Sequence, residues 1–158
     1  MRLTEDIYLV GSAEFGLSNA YDCHVYLLDG GEEATLIDCG VGYDTGQIIR
    51  NIEKYIDIEK VKKVYLTHLH ADHCGGGRDL QELGIEIVAP RNEWEDMQAH
   101  PDEVREAYEI SRNSGCYPEG KEFIFPNPDV YVTDGEELKV RSEERRVGKE
   151  WRSRWSPY

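Results

Sequence analysis

Three of the five histidines of this 158-residue chain fall within six residues, together with an aspartate. His68 and His70 are two positions apart, so their side chains point to the same side of an extended strand, and Asp72 continues that row. A turn into Gly75–Gly77 brings His73 back toward the same cavity. Imidazoles and a carboxylate that converge in this way favour Zn²⁺, or Fe or Mn, over Ca²⁺ or Mg²⁺. The alternative is a cluster of surface or core histidines that binds no metal.

The remaining histidines and the cysteines are weaker candidates for metal ligands. His24 lies on a predicted strand, where a core or edge role is expected, and His100 precedes Pro101 in a connection expected to be exposed. The cysteines show no CxxC spacing, so we expect buried free thiols rather than disulfides or a thiolate zinc site. Cys74, next to His73, could contact a metal, although small-residue packing is the expectation. The four cysteines are Cys23, Cys39, Cys74 and Cys116.

The elements that position these residues follow from hydrophobic periodicity. Apolar runs between turn residues predict strands at Asp6–Val10, His24–Leu28, Ala34–Ile37, Lys62–Leu66 and Glu86–Ala89, and a strand-turn unit at Val130–Val140. Helical spacing predicts helices at Tyr43–Ile56, Arg78–Leu83, Arg91–Ala99 and Asp102–Arg112. Early antiparallel strands followed by alternating helices and strands indicate an α/β fold with mixed sheets. In the last two helices the larger apolar residues could line a pocket, but their spacing favours the core: Trp94, Met97, Tyr108 and Ile110.

Two segments carry a resemblance to a known family. THLHADHCGG, which begins at Thr67, resembles the HxHxDH signature of the metallo-β-lactamase superfamily. LIDCG, which ends at Gly40, resembles the LIDxG strand end of that family. The resemblance covers roughly Ile7 to Val140 and implies an αββα sandwich, of which residues 1–140 form about the N-terminal half.

The resemblance also implies roles for the motif residues. His68 and His70 belong to a first metal site, and Asp72 and His73 belong to a second one in members that bind two ions, with zinc as the expected metal. Asp72 also has a catalytic role, because it orients the attacking hydroxide. Asp38 is then a buried carboxylate that orders the motif loop. An aspartate that caps its own turn before a glycine is the alternative.

By the same resemblance, the protein is a zinc-dependent hydrolase that acts on a small-molecule substrate. A metal-bound hydroxide attacks an ester, thioester, amide or phosphodiester bond. Relatives of glyoxalase II are the expected type, since the N-terminus lacks a secretory signal and favours the cytoplasm over the compartment of antibiotic-destroying enzymes. Histidine at position 70 argues against the diiron relatives, whose pattern is HxExD.

The alternative is an incomplete, non-catalytic fragment that at most binds zinc weakly, and we expect the 158-residue chain itself to be inactive even where the family is one of hydrolases. Family members supply further ligands later in the chain, from an HTPGHT-like turn, a bridging aspartate and a final histidine, and these do not follow Val140 here. Arg141–Tyr158 holds six of the 18 basic residues and resembles a translated sequencing adapter, so we expect it to be a non-native tail. Residues 1–140 are then the family portion.

Composition narrows the set of partners. The formal net charge is −14, and such a surface repels the phosphate backbone of nucleic acids. The sequence contains no apolar run near the ~20 residues that span a bilayer. We therefore expect neither a nucleic acid nor a membrane as a partner, and the sequence does not predict the oligomeric state.

Overall fold

A mixed β-sheet forms the centre of the described part of the protein. A computed structural model describes residues 1–120 and 122–138. The six strands, in sheet order, are β1 (Ile7–Gly11), β2 (Val25–Asp29), β3 (Ala34–Ile37), β4 (Val61–Tyr65), β5 (Glu86–Pro90) and β6 (Val130–Val132). β1, β2 and β3 pair antiparallel, whereas β3 through β6 pair parallel. The prediction of an α/β fold with a mixed sheet is confirmed.

This strand order brings several chain segments to one edge of the sheet. The carboxyl ends of parallel strands point the same way, so the segments that follow β3, β4 and β5 meet at that edge. β2 runs antiparallel to β3, so the segment that precedes β2 lies at the same edge. The histidine motif follows β4 and therefore lies here.

Helices pack on the sheet and close an apolar core. They are α1 (Thr45–Ile52), α2 (Ala71–Cys74), α3 (Gly77–Gln81), α4 (Arg91–Ala99) and α5 (Pro101–Asn113), and a short 3-10 turn at Ile58–Lys60 precedes β4. Ile48 and Ile52 of α1 and Leu80 of α3 are buried in the same core cluster as Leu27 and Leu36 of the sheet. None of the helices in the described residues is long and apolar enough to cross a membrane.

The predicted strands agree with the observed ones to within a residue at most ends, but helix α1 and the Val130–Val140 unit are clearly shorter than expected. Helix α1 begins at Thr45 rather than Tyr43, because the Asp44 side chain caps it by accepting a hydrogen bond from the Gln47 N–H. It ends at Ile52, and Tyr55 lies in the turn beyond, stacked on Tyr8 with ring centroids 4.3 Å apart. The Val130–Val140 unit holds only a three-residue strand and a turn in its described part.

The larger apolar residues of the last two helices, α4 and α5, were expected to lie in the core, and only some of them do. Trp94 and Met97 pack against the core from α4, as expected. Ile110 of α5 is 61% exposed, so the prediction that it is a core residue is wrong. The predicted tail, Arg141–Tyr158, lies outside the described residues.

Candidate metal centre

The four motif side chains converge, but not through the geometry that the sequence suggested. Strand β4 ends at Tyr65, so His68 and His70 lie in an irregular loop rather than on an extended strand, and Asp72 and His73 lie in helix α2. The prediction that a strand pleat aims the first three side chains is therefore wrong. The imidazoles are nevertheless clustered. Ring centroids lie 4.5 Å apart for His68 and His70 and 4.0 Å apart for His68 and His73.

The Asp38 carboxylate fixes the motif loop through hydrogen bonds. It follows β3 with a φ of 59°, a left-handed conformation that an aspartate tolerates, and it is only 3% exposed. Its carboxylate accepts hydrogen bonds from the Thr67 N–H at 2.8 Å and from the Thr67 hydroxyl at 2.8 Å. It also accepts one from Nδ1 of His73 at 2.8 Å. These contacts are with the motif segment, which fits the loop-ordering interpretation better than a cap of its own turn.

His73 lies between two carboxylates. With Nδ1 directed to Asp38, the Nε2 atom faces Asp72 and lies 3.3 Å from its Oδ2 atom. Two N and O ligands of one tetrahedral zinc ion, each about 2.0–2.1 Å from it, lie about 3.3 Å apart. Asp72 and His73 therefore have the spacing of two ligands on one ion, and the residues present fit zinc.

The surroundings of two of the histidines shift their pKa values in opposite directions. Burial lowers the pKa of His68 to about 4, and the neighbouring His73 and His70 add to this effect. Burial acts in the same direction on His73, but hydrogen bonds with Asp38 and Asp72 prevail and raise its pKa to about 12. At neutral pH the His68 imidazole is thus uncharged and ready to bind a metal, whereas His73 carries a proton that a metal would displace.

A glycine run lets helix α2 approach the loop after β3. A Cβ atom on Gly75 would overlap the carbonyl oxygen of Val41, and one on Gly76 would overlap the carbonyl oxygen of Cys39. The Gly76 N–H donates to the carbonyl oxygen of Gly40 at 3.0 Å, and the Cys39 N–H donates to that of His73 at 2.8 Å. These backbone contacts fix α2, and with it Asp72 and His73, against the end of β3.

Two further residues lie near the motif, although the sequence did not connect either of them with it. Glu93 of α4 accepts a hydrogen bond from the Leu69 N–H at 2.9 Å, and burial raises the pKa of its carboxyl. Cys23 lies beside Asp38 and His73, and one donor atom of each of these three residues lies within 4.8 Å of the others. No spacing in the sequence links positions 23 or 93 to the motif, so only the fold reveals them.

The remaining histidines and cysteines contact other groups. His24 lies 3.2 Å from the Ser12 hydroxyl and 3.4 Å from the Glu14 carboxylate, and His100 lies 3.3 Å from the carboxylate of Asp96. The buried Cys74 thiol donates to the carbonyl oxygen of Leu69. All four cysteines are free, as expected, but Cys116 is exposed, so the expectation that all of them are buried is wrong.

Comparison with known proteins identifies the family of the chain. The metallo-β-lactamase superfamily model matches residues 19–149. The chain belongs to this superfamily, and its fold is the metallo-β-lactamase fold. Among curated protein sequences, none matches the chain.

The solved structures that resemble the chain include subclass B3 metallo-β-lactamases. One, described as having an active-site glutamic acid, shares 25% identity over 88% of this chain and 47% of its own, with a TM-score of 0.63. One of Bradyrhizobium japonicum shares 22% identity over 91% of this chain and 48% of its own, with a TM-score of 0.65. A metallo-β-lactamase from Legionella gormanii shares 18% identity over 85% of this chain and 46% of its own, with a TM-score of 0.62. The chain thus spans about half the length of these relatives.

Proposed function

We propose that the protein is a zinc-dependent hydrolase that cleaves an ester, thioester, amide or phosphodiester bond in a small-molecule substrate. The observation that carries the proposal is the pair formed by Asp72 and His73, whose facing atoms lie 3.3 Å apart. The ring of His68 lies next to that of His73, and the ring of His70 lies next to that of His68. His68, Asp72 and His73 are half-buried and His70 is exposed, so the cluster can be reached from solvent and offers four side chains of the types that bind zinc.

Each residue of the cluster has a task in this proposal. His68 and His70 hold one ion, and Asp72 and His73 hold a second ion where two are bound. Asp38 keeps His73 in one orientation through Nδ1, so that Nε2 is available as a ligand. The bound zinc would supply Lewis-acid chemistry, since it lowers the pKa of a water molecule and polarises the oxygen of the bond to be cleaved. The Asp72 carboxylate would orient the attacking water.

Two features guide the choice of substrate. The solved neighbours are named β-lactamases, and a β-lactam ring is a strained cyclic amide, so amide hydrolysis belongs among the reactions to test. Thioester hydrolysis of the glyoxalase II type belongs there as well, as the motif resemblance suggests. We also propose a cytoplasmic location, which cell fractionation with antibodies to the chain tests.

The experiment is a metal titration of the purified chain with a panel of substrates. Bound metal is removed with a chelator, and Zn²⁺, Mn²⁺ or Fe²⁺ is returned before hydrolysis of thioester, phosphodiester and β-lactam substrates is measured. A zinc-dependent hydrolase should show zinc-dependent turnover that His70→Ala abolishes. His100→Ala changes an exposed histidine outside the cluster and is the matched control. Turnover that is indifferent to zinc or to His70→Ala would contradict the proposal.

A second candidate function is zinc binding without turnover. In the part of the chain that the structure describes, the motif supplies two side chains for each ion, whereas a catalytic zinc site holds its ion with three protein ligands and one open position. The same titration separates the candidates. Zinc retention that competes with a chelator, without hydrolysis of any substrate in the panel, favours the binding function.

A further inference from the structure

Cys23 lies at the same sheet edge as the histidine motif, and backbone contacts fix its position. It comes two residues before β2, whose start lies beside the end of β3 because the two strands are antiparallel. The Cys23 N–H donates to the carbonyl oxygen of Asp72 at 3.3 Å. The thiol is thereby placed between Asp38, which follows β3, and His73 of helix α2.

These three side chains bring three kinds of donor atom together. A sulfur, a carboxylate oxygen and an imidazole nitrogen lie within 4.8 Å of one another. On one tetrahedral zinc ion, sulfur and nitrogen ligands lie about 3.6 Å apart, and nitrogen and oxygen ligands about 3.3 Å apart. Shifts of about 1 Å are therefore enough to place all three donors on one ion. Asp38 is buried and the other two residues are half-buried, so little water competes for the position.

We propose that Cys23, Asp38 and His73 form a metal site of their own, which holds zinc or a softer divalent ion such as Cd²⁺. A thiolate selects such ions over Mg²⁺ and Ca²⁺, and a thiolate with a carboxylate balances the charge of a divalent cation. On binding, the thiol of Cys23 and the imidazolium of His73 each lose one proton to solvent as the sulfur–metal and nitrogen–metal bonds form.

This site shares His73 with the pair that His73 forms with Asp72. A neutral imidazole has one nitrogen free to accept a metal, so His73 serves one donor set at a time. Its Nδ1 atom lies 2.8 Å from Asp38, and its Nε2 atom lies 3.3 Å from Asp72. An ion bound by Cys23 therefore competes with an ion bound by Asp72. The site does not depend on the hydrolase proposal, since it requires only metal binding.

The test uses the full chain, freed of metal and titrated with Co²⁺, whose bond to a thiolate gives a near-ultraviolet charge-transfer band. We expect this band in the unmodified protein and its loss in Cys23→Ser. Mutation of residues that only hydrogen-bond to metal ligands typically lowers metal affinity 10–100-fold. Removal of the thiolate, which binds the metal directly, should therefore weaken Co²⁺ binding about 100-fold or more. Cys116→Ser, which changes the exposed cysteine, is the matched control and should keep the band.

Further measurements separate a lost metal site from a misfolded variant. Circular dichroism and the unfolding midpoint show whether Cys23→Ser is folded. Protection of Cys23 from alkylation by one equivalent of Cd²⁺, read by mass spectrometry, needs no variant at all. The site is ruled out by a missing band in the unmodified protein, by a band that survives Cys23→Ser, or by Cys23 that stays reactive with Cd²⁺ present. His68→Ala should keep the band even where it abolishes hydrolysis. The Co²⁺ band therefore tests this site even if the protein proves not to be a hydrolase.

Discussion

The Nδ1 atom of His73 donates to the Oδ2 atom of Asp38 at 2.8 Å, although the two residues lie 35 positions apart in the chain. Asp38 follows β3, and His73 lies in helix α2 after β4, so the parallel pairing of these strands makes the contact possible. The carboxylate is 5% exposed and the imidazole 23% exposed, so solvent screens the pair only weakly. One carboxylate thus fixes both the loop that begins at Thr67 and the orientation of a metal ligand.

Asp38→Asn should destabilise the metal-free protein. Asparagine tolerates the positive φ at this position and keeps one oxygen as an acceptor for the Thr67 N–H, but it removes the charge that pairs with protonated His73. A hydrogen bond to a charged group contributes about 1.5–3 kcal/mol, so we expect a loss of about 2 kcal/mol in urea unfolding near pH 6. Asp102→Asn removes an exposed partner of Arg105 and should change stability by less than about 1 kcal/mol.

The same pair predicts how stability depends on pH. The pKa of His73 is raised from 6.5 in the unfolded chain to about 12 in the folded one. Its contribution is therefore fully present below pH 6.5 and decreases as pH rises toward 12, because the folded state binds the proton more tightly. With a chelator present, the difference in unfolding free energy between wild type and His73→Ala should shrink from pH 6 to pH 8.5. A constant difference would show that His73 does not carry this proton.

Zinc binding should release a proton from His73. The metal-free side chain is protonated at pH 7, and a metal displaces the proton at the nitrogen it binds. His68, with its pKa near 4, is already neutral and should release none. Calorimetric titration of zinc at pH 7 in two buffers of different ionisation enthalpy measures the count. We expect about one proton more in wild type than in His73→Ala, and equal counts would refute the assignment.

Glu93 should act as a positioning residue for the motif loop. Its carboxylate holds the N–H of Leu69, the residue between His68 and His70. Glu93→Ala frees that amide, and we expect about a 10-fold loss of zinc affinity, measured by competition with a chelating dye. Glu93→Gln keeps an acceptor oxygen and should retain most of the affinity. Glu95→Ala, on the exposed face of α4, is the matched control; an equal loss in all three variants would mean that only overall charge matters.

The sequence predicted the elements of the sheet because each strand is a short apolar run between turn residues. It also predicted the cluster of ligands, since four ligand-type residues within six positions stay close in any compact local structure. It did not predict how they converge. The glycines at 75–77 and the Asp38 carboxylate favour a loop and a one-turn helix over a longer strand, and this choice depends on contacts with the end of β3. Cys23 and Glu93 reach the motif only through the strand order and the packing of α4, which local spacing does not encode.

Gly75→Ala should disrupt the site through steric overlap rather than backbone strain. The φ of Gly75 is −63°, which any residue adopts, but its new Cβ would overlap the carbonyl oxygens of Val41 and Ala71. Both atoms belong to the backbone, so helix α2 must move away from the end of β3. Overpacking of this kind costs about 1–3 kcal/mol, and we expect a loss near the upper end in urea unfolding, together with weaker zinc binding as Asp72 and His73 shift.

Gly46→Ala provides the control for this prediction. Gly46 lies within helix α1, and a Cβ there would meet only the flexible side chains of Arg50 and Asp44. Alanine favours a helix over glycine by up to about 1 kcal/mol, so this variant should be neutral or more stable and should keep its zinc affinity. Unchanged stability and zinc binding in Gly75→Ala would show that α2 is not held against the β3 end, and the fixed spacing of Asp72 and His73 would then lose its structural basis.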